Sequence, residues 1–306
     1  MNLNIAGAAF AAAALLMTGA AHAERLTDQP LVDAAWLNQH LGNESLVILD
    51  IRDATDAGDL YAAGHVPGAV AAPYAAAGWR AKVGDVPGLL PTEEAIETLV
   101  SGLGIDNNDH VVILTGGQNA SDFGGATRVY WTFKVYGHDN VSILDGGYAA
   151  WAKANGPLST EAVTPVATTF DAEFRPELRA EVEEVNKAIA SDTNLIDARS
   201  VAQFIGQEKT NTVQALGHIP SAVNINFDKF YDAEKPAFAS ADTIAQLARD
   251  AGVNDSEGFI SFCNTGHLAS IAWFGLSEVQ GLPNVRLYDG SMSDWTSDPS
   301  RPVVTN

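Results

Sequence analysis

Short apolar runs recur along the chain, separated by stretches in which apolar residues return every three or four positions. Residues 46–49, 111–114 and 141–144 are runs of strand length, and 195–196, 259–262 and 285–288 form a second set. Between them, 92–103 and 241–251 carry their apolar residues on one helical face, and each closes on a glycine suited to a helix C-cap. Strand-length runs that are apolar on both faces and alternate with helices predict a parallel sheet covered by helices.

The two sets of runs belong to an internal repeat. Ile48-Leu49-Asp50-Ile51-Arg52 returns as Leu195-Ile196-Asp197-Ala198-Arg199, and Gly64-His65-Val66-Pro67-Gly68-Ala69-Val70 as Gly217-His218-Ile219-Pro220-Ser221-Ala222-Val223. Residues 111–116 align with 259–264, and Asn140-Val141 through Asp145-Gly146 to Trp151 aligns with Asn284-Val285 through Asp289-Gly290 to Trp295. The offsets are 147, 153, 148 and 144, in the same order along the chain. Such ordered self-similarity predicts a tandem of two copies of one α/β domain. Residues 24–156 form the first copy and 178–306 the second. The proline-containing stretch 157–177 (Pro157, Pro165, Pro176) is poor in large aliphatic residues and reads as the linker.

Composition narrows the function. The length of 306 residues suits two domains of roughly 150 each. Lys plus Arg total 17 and Asp plus Glu 38, so the formal charge is 17 − 38 = −21. That acidity disfavours nucleic acid and anionic membranes as partners, since both reward clustered positive charge. Residues 5–17 are an unbroken run of small and apolar side chains, too short for the roughly 20 residues that span a bilayer. Ala21-His22-Ala23 follows as an A-x-A cleavage signature. Residues 1–23 are therefore expected to be a signal peptide that exports the chain, in a bacterium to the periplasm. The amino-terminal four residues carry no Lys or Arg, an unusual start for such a signal. Once the signal is cleaved, no later stretch is apolar enough to hold the protein in a membrane.

A single cysteine, Cys263, excludes a disulfide framework and any cysteine-rich metal site; neither a metal nor an organic cofactor is expected. Cys263 ends a strand-like run and precedes Asn264-Thr265-Gly266-His267-Leu268-Ala269, after which 270–279 has a helical pattern. A strand, a glycine-containing turn and a helix start make a cradle of backbone N–H groups that favours an anion, and hence the reactive thiolate. A buried free cysteine with only a packing role is the alternative that residue type alone would suggest.

These residues carry a resemblance. Leu-Ile-Asp-Ala-Arg (195–199), Gly-His-Ile-Pro-Ser-Ala-Val (217–223), Cys-Asn-Thr-Gly-His (263–267) and the ending Asp289-Gly290…Trp295, duplicated in order, resemble the two-domain thiosulfate and 3-mercaptopyruvate sulfurtransferases of the rhodanese superfamily. The resemblance implies two tandem domains, each a five-stranded parallel sheet flanked by helices, with the catalytic cysteine in the second copy only. Thr115 stands at the corresponding position of the first, non-catalytic copy. It also implies that Cys263 takes a sulfane sulfur from thiosulfate, 3-mercaptopyruvate or a persulfide. The sulfur would pass to cyanide, a thiol or a protein acceptor in ping-pong fashion, with residues 264–269 as the active-site loop.

Several residues depart from that family's pattern. Neutral Asn264 and Thr265 occupy loop positions where cations are usual, and Gln203 stands four residues beyond Arg199, where a donor-binding arginine is usual. Poor affinity for a dianion such as thiosulfate follows, unless Lys209, Lys229 or Arg128 reaches the site. His267 could compensate when protonated or pass a proton when neutral; the alternative is a ring that only packs at the rim of the cleft. Gln203 and Arg199 remain the candidate substrate-binding residues. His65 and His218, Asp50 with Arg52, Asp197 with Arg199, and Trp151 with Trp295 occur in both copies and are expected to be structural. A phosphatase would need arginine where Ala269 stands, and no protease signature surrounds the cysteine. The remaining alternatives to an enzyme are a non-enzymatic sulfur carrier or partner-binding module, and a redox-sensing thiol. A tandem that mimics a dimer is expected to be a monomer.

Overall fold

A computed structural model describes residues 25–253 and 258–305; the expected export signal lies outside them. Each copy forms a five-stranded, wholly parallel sheet flanked by helices. The first sheet runs Val70–Ala71, Leu46–Asp50, His110–Leu114, Val141–Leu144, Leu31–Val32. The second runs Val223–Asn224, Asn194–Asp197, Phe259–Phe262, Val285–Tyr288, Arg179–Ala180. Numbered by chain order within each copy, both sheets read 3-2-4-5-1, so the sequence repeat is also a repeat of topology. The inner strands are buried on both faces, which is why they appear in the sequence as unbroken apolar runs.

Local sequence sets the element ends. Helix Glu93–Gly102 starts at the N-cap Thr92, whose side chain accepts from the Ala95 N–H, and Ala241–Asp250 starts in the same way at Ser240. Gly104 and Gly252 follow these helices with φ of 75° and 80°, as expected of glycines that end helices. The 270–279 pattern divides into an α-helix, Ala269–Phe274, and a π-turn, Gly275–Val279. At the junction a Cβ on Gly275 would lie 2.9 Å from the Phe230 ring. Residues 157–177 lie largely along the first copy. Ser159 pairs with His65, the Thr168 hydroxyl donates to the Ile105 carbonyl at 2.6 Å, and Phe170 is buried.

The two copies share one apolar core. Helix Ala120–Val135 packs between its own sheet and Ala269–Phe274 of the second copy, buried on nearly every face. It therefore has no polar stripe, and amphipathic periodicity did not reveal it. Close approach depends on Gly124, where a Cβ would lie 3.0 Å from Ile271 Cδ1 and 3.1 Å from His267 Nε2. Fully buried large side chains such as Phe123, Trp131, Trp273 and Phe274 each contribute about 1.5–3 kcal/mol of transfer free energy.

Two hairpins complete the exchange. The strands Ala81–Val83 and Val86–Leu89 reach the second copy, where the Leu90 N–H donates to Asp289 at 2.7 Å. The strands Tyr231–Asp232 and Ala237–Phe238 reach the first, where the Phe238 N–H donates to Asp145 at 2.7 Å. Asp145 and Asp289 are equivalent positions, so each copy holds the other's hairpin by the same contact.

Candidate active site

Cys263 leaves the C-terminal end of Phe259–Phe262 and is 1% exposed. Its carbonyl and that of Asn264 accept from the N–H groups of Met292 and Ser293, which begin helix Ser291–Trp295. The next two carbonyls are held by the first copy: Arg80 Nη2 donates to Thr265 O at 2.8 Å and Arg128 Nη1 to Gly266 O at 3.1 Å. With the carbonyls engaged behind the loop, the N–H groups of Asn264, Thr265, His267 and Leu268 have no acceptor among the described residues. Unclaimed donors on consecutive residues after Cys263 are what a cradle for an anion requires.

Ser291 joins the cradle and was missed from sequence. Its Oγ accepts from the N–H groups of Cys263 (3.0 Å) and Gly266 (3.1 Å), donates to Tyr288 O, and lies 4.0 Å from Cys263 Sγ. Ser291 has φ of 52°, a left-handed conformation costly for a side chain. Its equivalent in the first copy, Gly147, has φ of 55°. Glycine thus serves where there is no cysteine, and serine takes on the strain where there is one. That contrast was visible in the repeat.

The loop of the first copy shows the same cradle filled. Asp122 accepts from the Thr115 hydroxyl at 3.0 Å and from the N–H groups of Gly116 (3.3 Å) and Gln118 (3.0 Å). The equivalent of Asp122 in the second copy is Ser270, whose hydroxyl turns away to His267 O and Thr127. A cleft of about 440 Å³ opens beside Thr115, lined among others by Arg52, Tyr74, Ser121, Asp122 and His267.

Beside Cys263 is a pocket of about 310 Å³, walled by Ser121, Thr210, Thr212, Asn264, Thr265, His267 and Leu268. Among the described residues, no cationic side chain lines it. Lys229 is exposed, Lys209 donates to Val213 O at 2.7 Å, and Arg128 is buried behind the loop in an ion pair with Asp289. Gln203 accepts from Asn264 Nδ2 at 2.8 Å, so the two neutral replacements hold each other. Arg199 is fully buried and paired with Asp197, its Nη2 on Gly217 O at 2.9 Å; it does not line the pocket. Arg52 repeats this arrangement with Asp50 and Gly64 O.

His267 does not supply the missing charge. Its Nε2 lies 3.0 Å from Ser121 O, which can only accept, so that nitrogen carries the proton. Nδ1 then accepts from the Tyr74 hydroxyl at 2.9 Å. Burial, with Arg80 nearby, lowers the His267 pKa to about 4 and keeps the ring neutral. Burial raises the pKa of Tyr74, which keeps the proton it donates. His65 and His218 stack on Tyr61 and Phe204, each at 3.8 Å, and bond backbone carbonyls. The indoles of Trp151 and Trp295 donate to Pro157 O and Pro302 O. All four are packing residues.

A pH effect follows. His110, His138 and His267 all have folded pKa values near 4, lowered chiefly by burial, against 6.5 unfolded. Between those values the unfolded chain binds more protons, so stability is complete above about pH 6.5 and falls as pH drops towards 4. Each histidine contributes at most about 3 kcal/mol to that loss. Urea titrations across this range should show the decline, with a shallower slope for His138→Gln.

The fold and site define a class: a tandem α/β protein in which one copy holds a cysteine in a backbone cradle and the other braces it. The rhodanese-like domain profile matches residues 33–154 and again 181–298. A Saccharopolyspora erythraea protein provisionally named a thiosulfate sulfurtransferase is 33% identical, over 90% of this chain and 96% of its own. The thiosulfate/3-mercaptopyruvate sulfurtransferase 2 of Arabidopsis thaliana is 31% identical, over 91% and 87%. The crystal structure of SseA from Escherichia coli, described with the mechanism of 3-mercaptopyruvate sulfotransferases, superposes with a TM-score of 0.74 at 27% identity, covering 86% of this chain and 98% of that one. The chain belongs to the rhodanese family, and it is a sulfurtransferase of rhodanese type.

Proposed function

We propose that Cys263 carries the sulfur and that its physiological donor is a low-molecular-weight persulfide rather than thiosulfate. The thiolate attacks the terminal sulfur of RS–SH; the donor's S–S bond breaks, RS⁻ leaves, and Cys263 becomes a persulfide. An acceptor thiolate then takes the outer sulfur and regenerates the Cys263 thiolate, while cyanide in the same role leaves as thiocyanate. The unclaimed N–H groups of the loop stabilise the negative charge at each stage. The observation that carries the donor choice is the neutral wall of the pocket, which gives a sulfonate or carboxylate no cation to pair with. One absent charge-assisted hydrogen bond costs on the order of 1.5–3 kcal/mol.

The expected result is a kcat/KM at least about tenfold higher with glutathione persulfide than with thiosulfate or 3-mercaptopyruvate. Intact mass should show one sulfur gained per chain. Equal or better turnover of thiosulfate would overturn the donor choice. The export signal at 1–23 supports a periplasmic site of action; amino-terminal sequencing of protein recovered from periplasm should begin at Glu24.

A further inference from the structure

We propose that Arg80 and Arg128 of the cysteine-free copy are the positive charges of the Cys263 loop, delivered through its peptide groups instead of from its side chains. The inference rests on the sulfur-carrier reading of Cys263. It also accounts for how a loop without cations can hold a thiolate.

The geometry comes from two consecutive peptides. Arg80 Nη2 donates to Thr265 O and Arg128 Nη1 to Gly266 O. Across a trans peptide the carbonyl and the following N–H point in opposite directions. With both carbonyls turned to guanidinium groups, the N–H groups of Gly266 and His267 face the other way. That of Gly266 meets Ser291 Oγ alongside the Cys263 N–H, and that of His267 has no acceptor among the described residues. A peptide whose oxygen bonds a cation is polarised and becomes a stronger donor at its nitrogen.

Room for these contacts is built in. A Cβ on Gly88 would lie 1.9 Å from Arg80 Nη2, and one on Gly266 would lie 2.3 Å from Arg128 Nη1. Both glycines have positive φ, 80° and 75°. Arg128 shares its charge with Asp289, whereas Arg80 has no carboxylate partner among the described residues. An unpaired guanidinium in a chain of net charge −21 is therefore available to the loop.

The opposite exchange supplies the control. At the equivalent of Thr265 in the first copy, Gly117 O accepts from the second copy's Tyr231 hydroxyl at 2.9 Å. A neutral donor stands where there is no cysteine and a cation where there is one. Arg80 and Arg128 are thus positioning residues that act on Cys263 through the backbone.

Arg80→Gln and Arg80→Lys in the full chain test this, with thermal unfolding to confirm that both variants fold. Alkylation of Cys263 by iodoacetamide, followed by intact mass, reads the sulfur without requiring turnover. For Arg80→Gln the alkylation rate at pH 7 should fall about tenfold, and the pH profile should move up by about one unit. With persulfide donor, kcat should fall while KM stays near its original value, and Arg80→Lys should restore most of both readouts. An unchanged pH profile, a lysine variant no better than glutamine, or an effect on KM alone would overturn the proposal. If the unaltered protein takes up no sulfur from any donor while the alkylation profile still shifts, the sulfur-carrier reading fails and the electrostatic role stands.

Discussion

Cys263→Ser is expected to take up no sulfur from any donor, with turnover reduced at least about a thousandfold. The substitution changes one atom at a site that is 1% exposed and leaves every backbone donor of the loop in place, so the fold should survive. What is lost is nucleophilicity: a thiol reacts as its thiolate, and a hydroxyl is not ionised at neutral pH. No second thiol is available to substitute. Cys263 is the sole cysteine, and the hydroxyl at the equivalent position, Thr115, is donated to Asp122. Intact mass with persulfide, thiosulfate and 3-mercaptopyruvate decides the point, and any sulfur retained on the serine variant would refute the assignment.

Asp289→Ala is expected to destabilise the protein by about 3–5 kcal/mol, the cost of leaving a buried guanidinium without its counter-charge. Asp289 is fully buried; it pairs with Arg128 and accepts the Leu90 N–H from the first copy's hairpin. Removing it strands a cation and an N–H together, at the junction that braces the Cys263 loop. For a chain of this size a melting-temperature drop of about 10 °C follows. The equivalent substitution Asp145→Ala removes a carboxylate that accepts the Phe238 N–H and pairs with no cation among the described residues. It should cost only about 1–3 kcal/mol. Chemical and thermal unfolding of the two variants side by side provide the comparison, and equal losses would show that the Arg128 pair contributes nothing.

The duplication and the loop that carries Cys263 were legible because both are written in short local motifs. Asp-x-Arg closes a strand end on its own turn, and Gly-His-x-Pro stacks its histidine on an aromatic ring in each copy. The inner strands were legible because burial on both faces leaves an unbroken apolar run. Two-residue edge strands such as Leu31–Val32 and Arg179–Ala180 leave no such trace. The parts of the site contributed by the other copy were not legible. Tyr74 and Arg80 lie more than 180 residues from the loop they touch, in a segment with no helical or strand periodicity. The protonation state of His267 was left open by the sequence for the same reason: helix Ala120–Val135 packs against it, and Ser121 O accepts its proton.

The Asp122 carboxylate makes the two loops complementary in charge. The donors that one copy leaves open to a negative charge are, in the other, closed by a permanent one from its own chain. A cysteine placed at Thr115 alone would set sulfur beside a resident anion that already holds those donors. Only Thr115→Cys combined with Asp122→Ser, the pairing that the second copy has at Cys263 and Ser270, would open a second cradle.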